Sequence, residues 1–237
     1  MSEPGRLHDR VALITGASRG IGAAVAKRFA AEGAHVILLA RTVGGLEEVD
    51  DEIKTLGGSA TLVPCDLTEF ERLDNLGPPV LERFGKLDIF VGNAAILGTM
   101  TPLIQYDAAA WRDVFDVNVH ANWRLMRVVE PLLRRSDAGR AILVTTGATK
   151  QPKAYWGGYA VTKSALEAMT RVWADELANT SVRVNLLNPG ATRTQMRAAA
   201  FPGEDPNTLK TPDALTDAFL DLASPDCTRH GELIDVA

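Results

Sequence analysis

Cysteine is scarce in this chain. Only Cys65 and Cys227 occur in its 237 residues, with no C-x-x-C spacing, which excludes a disulfide-stapled scaffold and fits a reducing cytoplasm. Histidine is equally thin: His8, His35, His120 and His230 are spread without metal-ligand spacing, so no metal site is expected. No apolar run is long enough to span a bilayer, and the opening MSEPGRLHDR is polar rather than signal-like, so no membrane partner is expected. Basic runs are missing too. Arg134-Arg135 is the densest basic spot and reads as a solvated helix end; with a net charge of −5 this argues against a nucleic-acid surface. Internal repeats, low-complexity tracts and linkers are absent. What remains is an ordinary globular composition, 46% hydrophobic and 23% charged, at a length that suits a single domain over residues 1–237.

Within that composition the chain alternates. Short, largely continuous apolar runs at 11–14, 36–39, 60–63, 87–91, 141–145, 182–187 and 233–236 suit buried parallel strands. Amphipathic stretches between them predict helices over 21–32, 45–56, 69–84, 108–134, 157–179 and 212–223, with Gly33, Gly57 and Gly85 closing three of them. Strand–helix alternation throughout predicts a doubly wound α/β sheet with right-handed crossovers. The one long irregular piece, 188–211, carries Pro189, Gly190, Pro202, Gly203 and Pro206; it reads as a lid or binding loop, or else as a surface excursion.

The first strand runs directly into Thr15-Gly16-Ala17-Ser18-Arg19-Gly20-Ile21-Gly22, after which a helix begins. Gly16 permits a tight turn, Gly20 a close backbone approach to a phosphate, and Gly22 close helix–strand packing. The free N–H groups and positive dipole of the helix start suit a pyrophosphate. An acidic residue at the end of the second strand would bond the ribose hydroxyls of NAD. Ala40 stands there instead, followed by Arg41-Thr42, so nothing repels a 2′-phosphate, and Arg41 and Arg19 are placed to clamp one. Two exposed surface arginines are the bland alternative; the charge argument favours NADP(H) over NAD(H).

Tyr159 and Lys163 are separated by one helical turn and face the same side. A phenol with a pKa near ~10 exchanges protons poorly at neutral pH. A nearby ammonium favours the phenolate, so Lys163 is expected to draw Tyr159 downward into the range useful for acid–base work.

Together these segments resemble the short-chain dehydrogenase/reductase superfamily in its compact single-domain form, over 10–236. The matching residues are the 15–22 turn, Cys65-Asp66-Leu67, Gly92-Asn93-Ala94-Ala95, Asn118 in Asp116-Val117-Asn118-Val119, Tyr159-x-x-x-Lys163, and Pro189-Gly190-Ala191-Thr192-Arg193-Thr194. The resemblance implies a Rossmann-like, seven-stranded parallel sheet flanked by helices in three α/β/α layers. It also implies a hydride transfer between nicotinamide and a carbonyl or carbinol carbon. Asp66 would accept from the adenine amino group beside the Leu67 amide, and Asn93 and Ala94 would form the turn beside the adenosine ribose. Lys163 would bond the nicotinamide ribose, Asn118 would hold a water linking Lys163 to solvent, and Thr192 and Thr194 would orient the carboxamide. Relatives pair the helices corresponding to 108–134 and 157–179 into a dimer seam, often within a tetramer. Here the apolar Trp111, Trp123, Leu166, Met169 and Trp173 fit that seam or ordinary core equally well.

Two departures stand out. Ala95 replaces a usual glycine, tolerable if its φ is negative. Thr146 stands where a catalytic serine is usual, thirteen residues before Tyr159; it keeps a hydroxyl of the same donor and acceptor capacity and adds a methyl that crowds the pocket. Ile96, Leu97, Ala148, Tyr155, Met196 and Phe201 are expected at the substrate mouth, which suits a partly hydrophobic small molecule. Lys150 and Lys153 are read as solvated. The alternative reading is a nucleotide-sensing protein of the same fold with little turnover, motivated by Thr146 and Ala95. Asn118, Tyr159 and Lys163 argue against it, since a sensor needs no proton chain.

Overall fold

The computed structural model describes residues 5–236. Seven strands, β1 (Val11–Thr15), β2 (His35–Ala40), β3 (Ser59–Pro64), β4 (Ile89–Gly92), β5 (Arg140–Val144), β6 (Arg183–Asn188) and β7 (Leu233–Asp235), form one all-parallel sheet in the order β3-β2-β1-β4-β5-β6-β7. The strand order reverses between β1 and β4, paired through Ala12↔Ile89 and Ile14↔Val91. A crevice therefore opens above their carboxyl ends, where open α/β sheets bind ligands.

Side chains alternate across each strand and feed a core on either face. On one side Ala12, Ile14, Val36 and Leu38 pack with Val25 and Phe29 of α1 (Gly20–Ala31), and Phe219 and Leu220 belong to the same cluster from α9 (Thr216–Ala223). On the other, Leu13, Phe90, Leu143 and Leu186 pack with Leu125 and Val129 of α6 (Ala121–Leu133) and Leu166 and Trp173 of α7 (Gly157–Glu176). Each fully buried Leu, Ile or Phe contributes about 2 kcal/mol of apolar transfer free energy. That burial is what commits the chain to two helical layers. Leu166 and Trp173 are thus core, whereas Trp123 stays 45% exposed with Arg127 stacked over its ring at 4.9 Å.

Three segments differ from the sequence reading. The 69–84 stretch is two helices, α3 (Phe70–Asp74) and α4 (Gly77–Phe84), because Pro78 and Pro79 lack the N–H groups that a continuous helix requires and fit only a first turn. The 108–134 stretch is α5 (Ala108–Phe115) and α6 joined by a π-helical turn, Asp116–His120, that turns Asn118 fully inward. The 188–211 stretch is ordered: it holds α8 (Gln195–Ala200), a 3-10 turn at Pro206–Thr208 and a parallel bridge between Thr192 and Lys210. The helix read over 45–56 is α2 (Val43–Thr55). Gly33, Gly57 and Gly85 do close their helices, at φ of 91°, 79° and 71°.

Candidate active site

A cleft of about 1230 Å³ runs along the carboxyl ends of the strands. One end is built by the glycine turn. Gly16 sits at φ 65°, and a Cβ on Gly22 would run into the Gly16 carbonyl and the Asn93 amide. Asn93 buttresses this turn: its Nδ2 donates to Thr15 O at 2.9 Å while its own N–H donates to Thr15 Oγ1 at 3.0 Å. No side chain caps the start of α1, so its first-turn N–H groups remain free for an anion. A Cβ built on Gly20 would meet only the Thr194 methyl, at 3.6 Å, which leaves room for a ligand to approach that backbone.

Ser18, Arg19, Ile21, Arg41, Asp66 and Leu67 line the same end. Asp66 Oδ1 accepts from the Thr68 N–H at 2.9 Å and the Thr68 hydroxyl at 2.8 Å, and Oδ2 faces Arg41 at 3.5 Å. Desolvation pushes the Asp66 carboxyl up, but the bonds from Thr68 and the charge of Arg41 outweigh it and hold the pKa below its ordinary value. Ala40 is buried and offers no carboxylate to this corner.

The other end is built by β5, α7 and the segment after β6. Tyr159 is 8% and Lys163 1% exposed, both on the inward face of α7. Thr146, just past β5, caps the 3-10 turn Gly147–Thr149: its Oγ1 accepts from the Ala148 N–H at 3.3 Å. Burial pushes the Tyr159 phenol up to about 12, only partly offset by the Thr146 hydroxyl beside it. The downward pull expected of Lys163 is therefore not what the structure shows. Lys163 Nζ donates to Val144 O at 2.8 Å, and burial draws its own pKa down to about 8 against an opposing pull from Glu167.

Asn118 lies behind this pair. Its Oδ1 accepts from the Ile96 N–H at 2.9 Å, and Nδ2 donates to Ile96 O at 2.9 Å and Thr162 Oγ1 at 3.0 Å. Both amide hydrogens are spent on protein partners, so the side chain fixes the segment after β4 and holds the Thr162 turn of α7. The Asn118 carbonyl accepts from Asn122 Nδ2 at 3.0 Å. Pro189, Gly190, Thr192 and Thr194 line the cleft. The Thr192 hydroxyl donates toward Pro189 O at 3.3 Å, and Thr194 Oγ1 caps α8 by accepting from the Arg197 N–H at 3.1 Å.

Of the expected catalytic and cofactor-binding residues, Gly22, beneath the turn, and Asn118, behind Tyr159, do not line the cleft. At the mouth, Ile96, Leu97, Ala148, Met196 and Phe201 line it as expected, but Tyr155 does not: it is 58% exposed at φ 73°. Its neighbour Trp156 takes that place, with its ring 6.0 Å from Tyr159 and 5.6 Å from Phe201. Lys153, read as solvated, also borders the cleft, whereas Lys150 pairs with Asp235 at 2.5 Å. Ala95 avoids the positive-φ region, which meets the condition set for replacing glycine. Among the described residues, no cluster of three His, Cys, Asp or Glu side chains is arranged to hold a metal, and no helix is long and apolar enough to cross a membrane.

Comparison with known proteins agrees with this fold. The family profile for short chain dehydrogenases matches residues 10–205. The chain is 39% identical over 229 residues to the uncharacterized oxidoreductase YciK of Escherichia coli K12, covering 94% of this chain and 89% of that protein. It superposes on a short chain dehydrogenase from Pseudomonas syringae with a TM-score of 0.96 and 39% identity, over 100% of this chain and 98% of that one. A short chain dehydrogenase from E. coli CFT073, solved in complex with NADPH, is similar at a TM-score of 0.92 and 38% identity, over 99% of each chain. On fold, site and sequence together, the chain belongs to the short-chain dehydrogenase/reductase superfamily of oxidoreductases.

Proposed function

We propose that the chain is an NADP(H)-dependent oxidoreductase that moves a hydride between nicotinamide and the carbonyl or secondary-alcohol carbon of a partly hydrophobic small molecule. The observation that carries this reading is the Tyr159 hydroxyl, held protonated at one end of a cleft whose other end is the glycine turn. The turn residues Gly16 to Gly22 would hold the pyrophosphate on the free N–H groups of α1. Arg19 and Arg41 would take the 2′-phosphate, Asp66 and Leu67 the adenine, Asn93 and Ala94 its ribose, and Pro189, Gly190, Thr192 and Thr194 the nicotinamide. The missing carboxylate after β2 and the NADPH complex of the E. coli CFT073 relative support NADP(H) over NAD(H).

Bound nicotinamide supplies the hydride with its electron pair. As the carbonyl carbon receives it, the phenolic O–H of Tyr159 breaks and its proton forms the O–H bond of the product alcohol. The Thr146 hydroxyl donates to the oxygen as its charge grows, and Lys163, anchored on the Val144 carbonyl, would bond the nicotinamide ribose. A phenol pushed up to about 12 stays protonated at neutral pH, the form in which reduction begins, which supports reduction as the working direction. We further read the chain as one domain, on the ground that its seven strands share one sheet, and as a cytoplasmic homodimer or homotetramer, on the ground of its family.

The test is oxidation of NADPH and of NADH across a panel of apolar ketones and aldehydes, with wild type beside Tyr159→Phe. Turnover with NADPH that falls by about 10²-fold or more in the variant is expected. Equal background rates in both, with NADPH bound tightly, would make the chain a nucleotide-binding protein, and faster turnover with NADH would reverse the cofactor assignment.

A further inference from the structure

Glu167 is a carboxylate that the proposed mechanism leaves unused. It lies on α7 one turn beyond Lys163 and is 6% exposed. Its Oε1 accepts from the Thr145 hydroxyl at 2.7 Å and shares the Thr149 hydroxyl, at 2.7 Å, with the Thr146 carbonyl, at 2.8 Å; its Oε2 faces Arg171 at 3.3 Å. Thr145 and Thr149 bracket Thr146. Thr145 follows the last residue of β5, and Thr149 ends the 3-10 turn, where its N–H donates to Thr146 O at 3.3 Å. One buried carboxylate thus ties down both sides of the residue whose hydroxyl stands beside Tyr159.

The same side chain continues a stripe. Tyr159, Lys163, Glu167 and Arg171 follow one another at four-residue steps along α7, from the cleft outward to solvent. Around Lys163, β5 presents the Val144 carbonyl, the neutral Thr145 and Thr146 follow it along the same cleft, and the π turn presents Asn118 through Thr162. Its own helix presents Tyr159 and Glu167, and among the described residues Glu167 is the one charge that acts on it. Burying two opposite charges is costly unless each is compensated. The two threonine hydroxyls and Arg171 compensate the carboxylate.

We infer that Glu167 is a positioning residue for the proton-transfer step: its two hydroxyl bonds fix the Thr145–Thr149 turn so that Thr146 faces Tyr159, and its charge keeps Lys163 an ammonium. The inference rests on the hydride-transfer reading of this site. Without the carboxylate, only the Val144 carbonyl opposes the desolvation that already draws Lys163 down to about 8.

Two substitutions separate the two duties. Glu167→Gln keeps shape and an acceptor but loses charge; Glu167→Asp keeps charge but shortens the reach to the hydroxyls. Each is measured by carbonyl reduction against pH at saturating NADPH. Each is also followed in ligand-free protein by the NMR titration of the Lys163 ε-carbon, assigned by its disappearance in Lys163→Met. In Glu167→Gln the Lys163 midpoint is expected to fall, and the ratio of kcat at pH 8.5 to kcat at pH 6.5 to drop by about tenfold. In Glu167→Asp the midpoint stays, while kcat falls about tenfold at every pH with KM little changed.

A wild-type midpoint and pH profile in Glu167→Gln would overturn the inference, as would an identical pH-independent loss in both variants, the mark of a merely structural role. If Glu167→Gln does not fold, Thr149→Val removes one of the two anchors instead: a lowered kcat is expected, and a wild-type kcat overturns the positioning role. Tyr159→Phe is run alongside. If it keeps full activity, the hydride-transfer reading fails, while the Lys163 titration still decides the charge coupling.

Discussion

Thr146 is where this chain departs from the serine usual at its position. Its Oγ1 already accepts from Ala148, so the hydroxyl hydrogen is left to point toward Tyr159 and a substrate oxygen. Thr146→Ser keeps that donor and is expected to hold kcat within a few-fold while lowering KM for bulkier ketones, since the methyl is gone. Thr146→Val keeps the volume without the hydroxyl and is expected to lose about 10²–10³-fold in kcat. Steady-state kinetics on both checks this; a Val variant with wild-type kcat removes Thr146 from the chemistry. Tyr159 and Lys163 were legible from their four-residue step on one helix, and Thr146 from the family resemblance, which implies a hydroxyl residue thirteen positions before the tyrosine. Glu167 was not. It is one of 30 acidic residues, and only the approach of Thr145 and Thr149 from a different element distinguishes it. The direction of the Tyr159 shift was hidden for the same reason, because burial is a property of the folded neighbourhood.

At the scale of elements, apolar runs located most helices and every strand of the sheet, including the edge strands β3 and β7, which are only half-buried. They missed the break between α3 and α4, although Gly77-Pro78-Pro79 announced a new first turn. The π turn at Asn118 has no sequence signal of comparable strength. The segment after β6 hid a helix because its prolines and glycines suggested only loop. There, Arg197 forms two 2.6 Å bonds to Glu204 and lies 3.8 Å over the Phe201 ring, which in turn meets Trp156. This latch holds the wall of the substrate mouth. Glu204→Gln weakens it and is expected to raise KM for the carbonyl substrate about threefold or more, with kcat and melting temperature nearly unchanged. An unaltered KM would show that α8 keeps its place without the pair.

For the whole molecule, stability is anchored at the end of the sheet opposite the cleft. Asp88, fully buried, accepts from the Val11 N–H at 2.9 Å, Lys86 at 2.9 Å, Ser136 at 2.5 Å and Arg10 at 3.1 Å, joining β1, β4 and the turn before β5. Arg10 also grips Asp137, at 2.5 and 3.1 Å, and this bond holds the Asp137 carboxyl down to about 2 from 3.8. Because the folded pKa is depressed, the stabilisation is fully present above about pH 4 and drains away as pH falls toward 2. Urea unfolding at pH 4, 3 and 2 is expected to show a steeper loss in wild type than in Asp137→Asn; parallel losses would refute the coupling. The buttress under the glycine turn carries a different consequence, one for synthesis. Asn93 and the Thr15 carbonyl that it supports are 78 residues apart in the chain. As the polypeptide leaves the ribosome, the glycine turn emerges well before Asn93, so its final shape waits on a side chain delivered much later. Until β4 arrives, β1 has an unpaired edge, so the nascent chain passes through a vulnerable interval before it can hold a nucleotide.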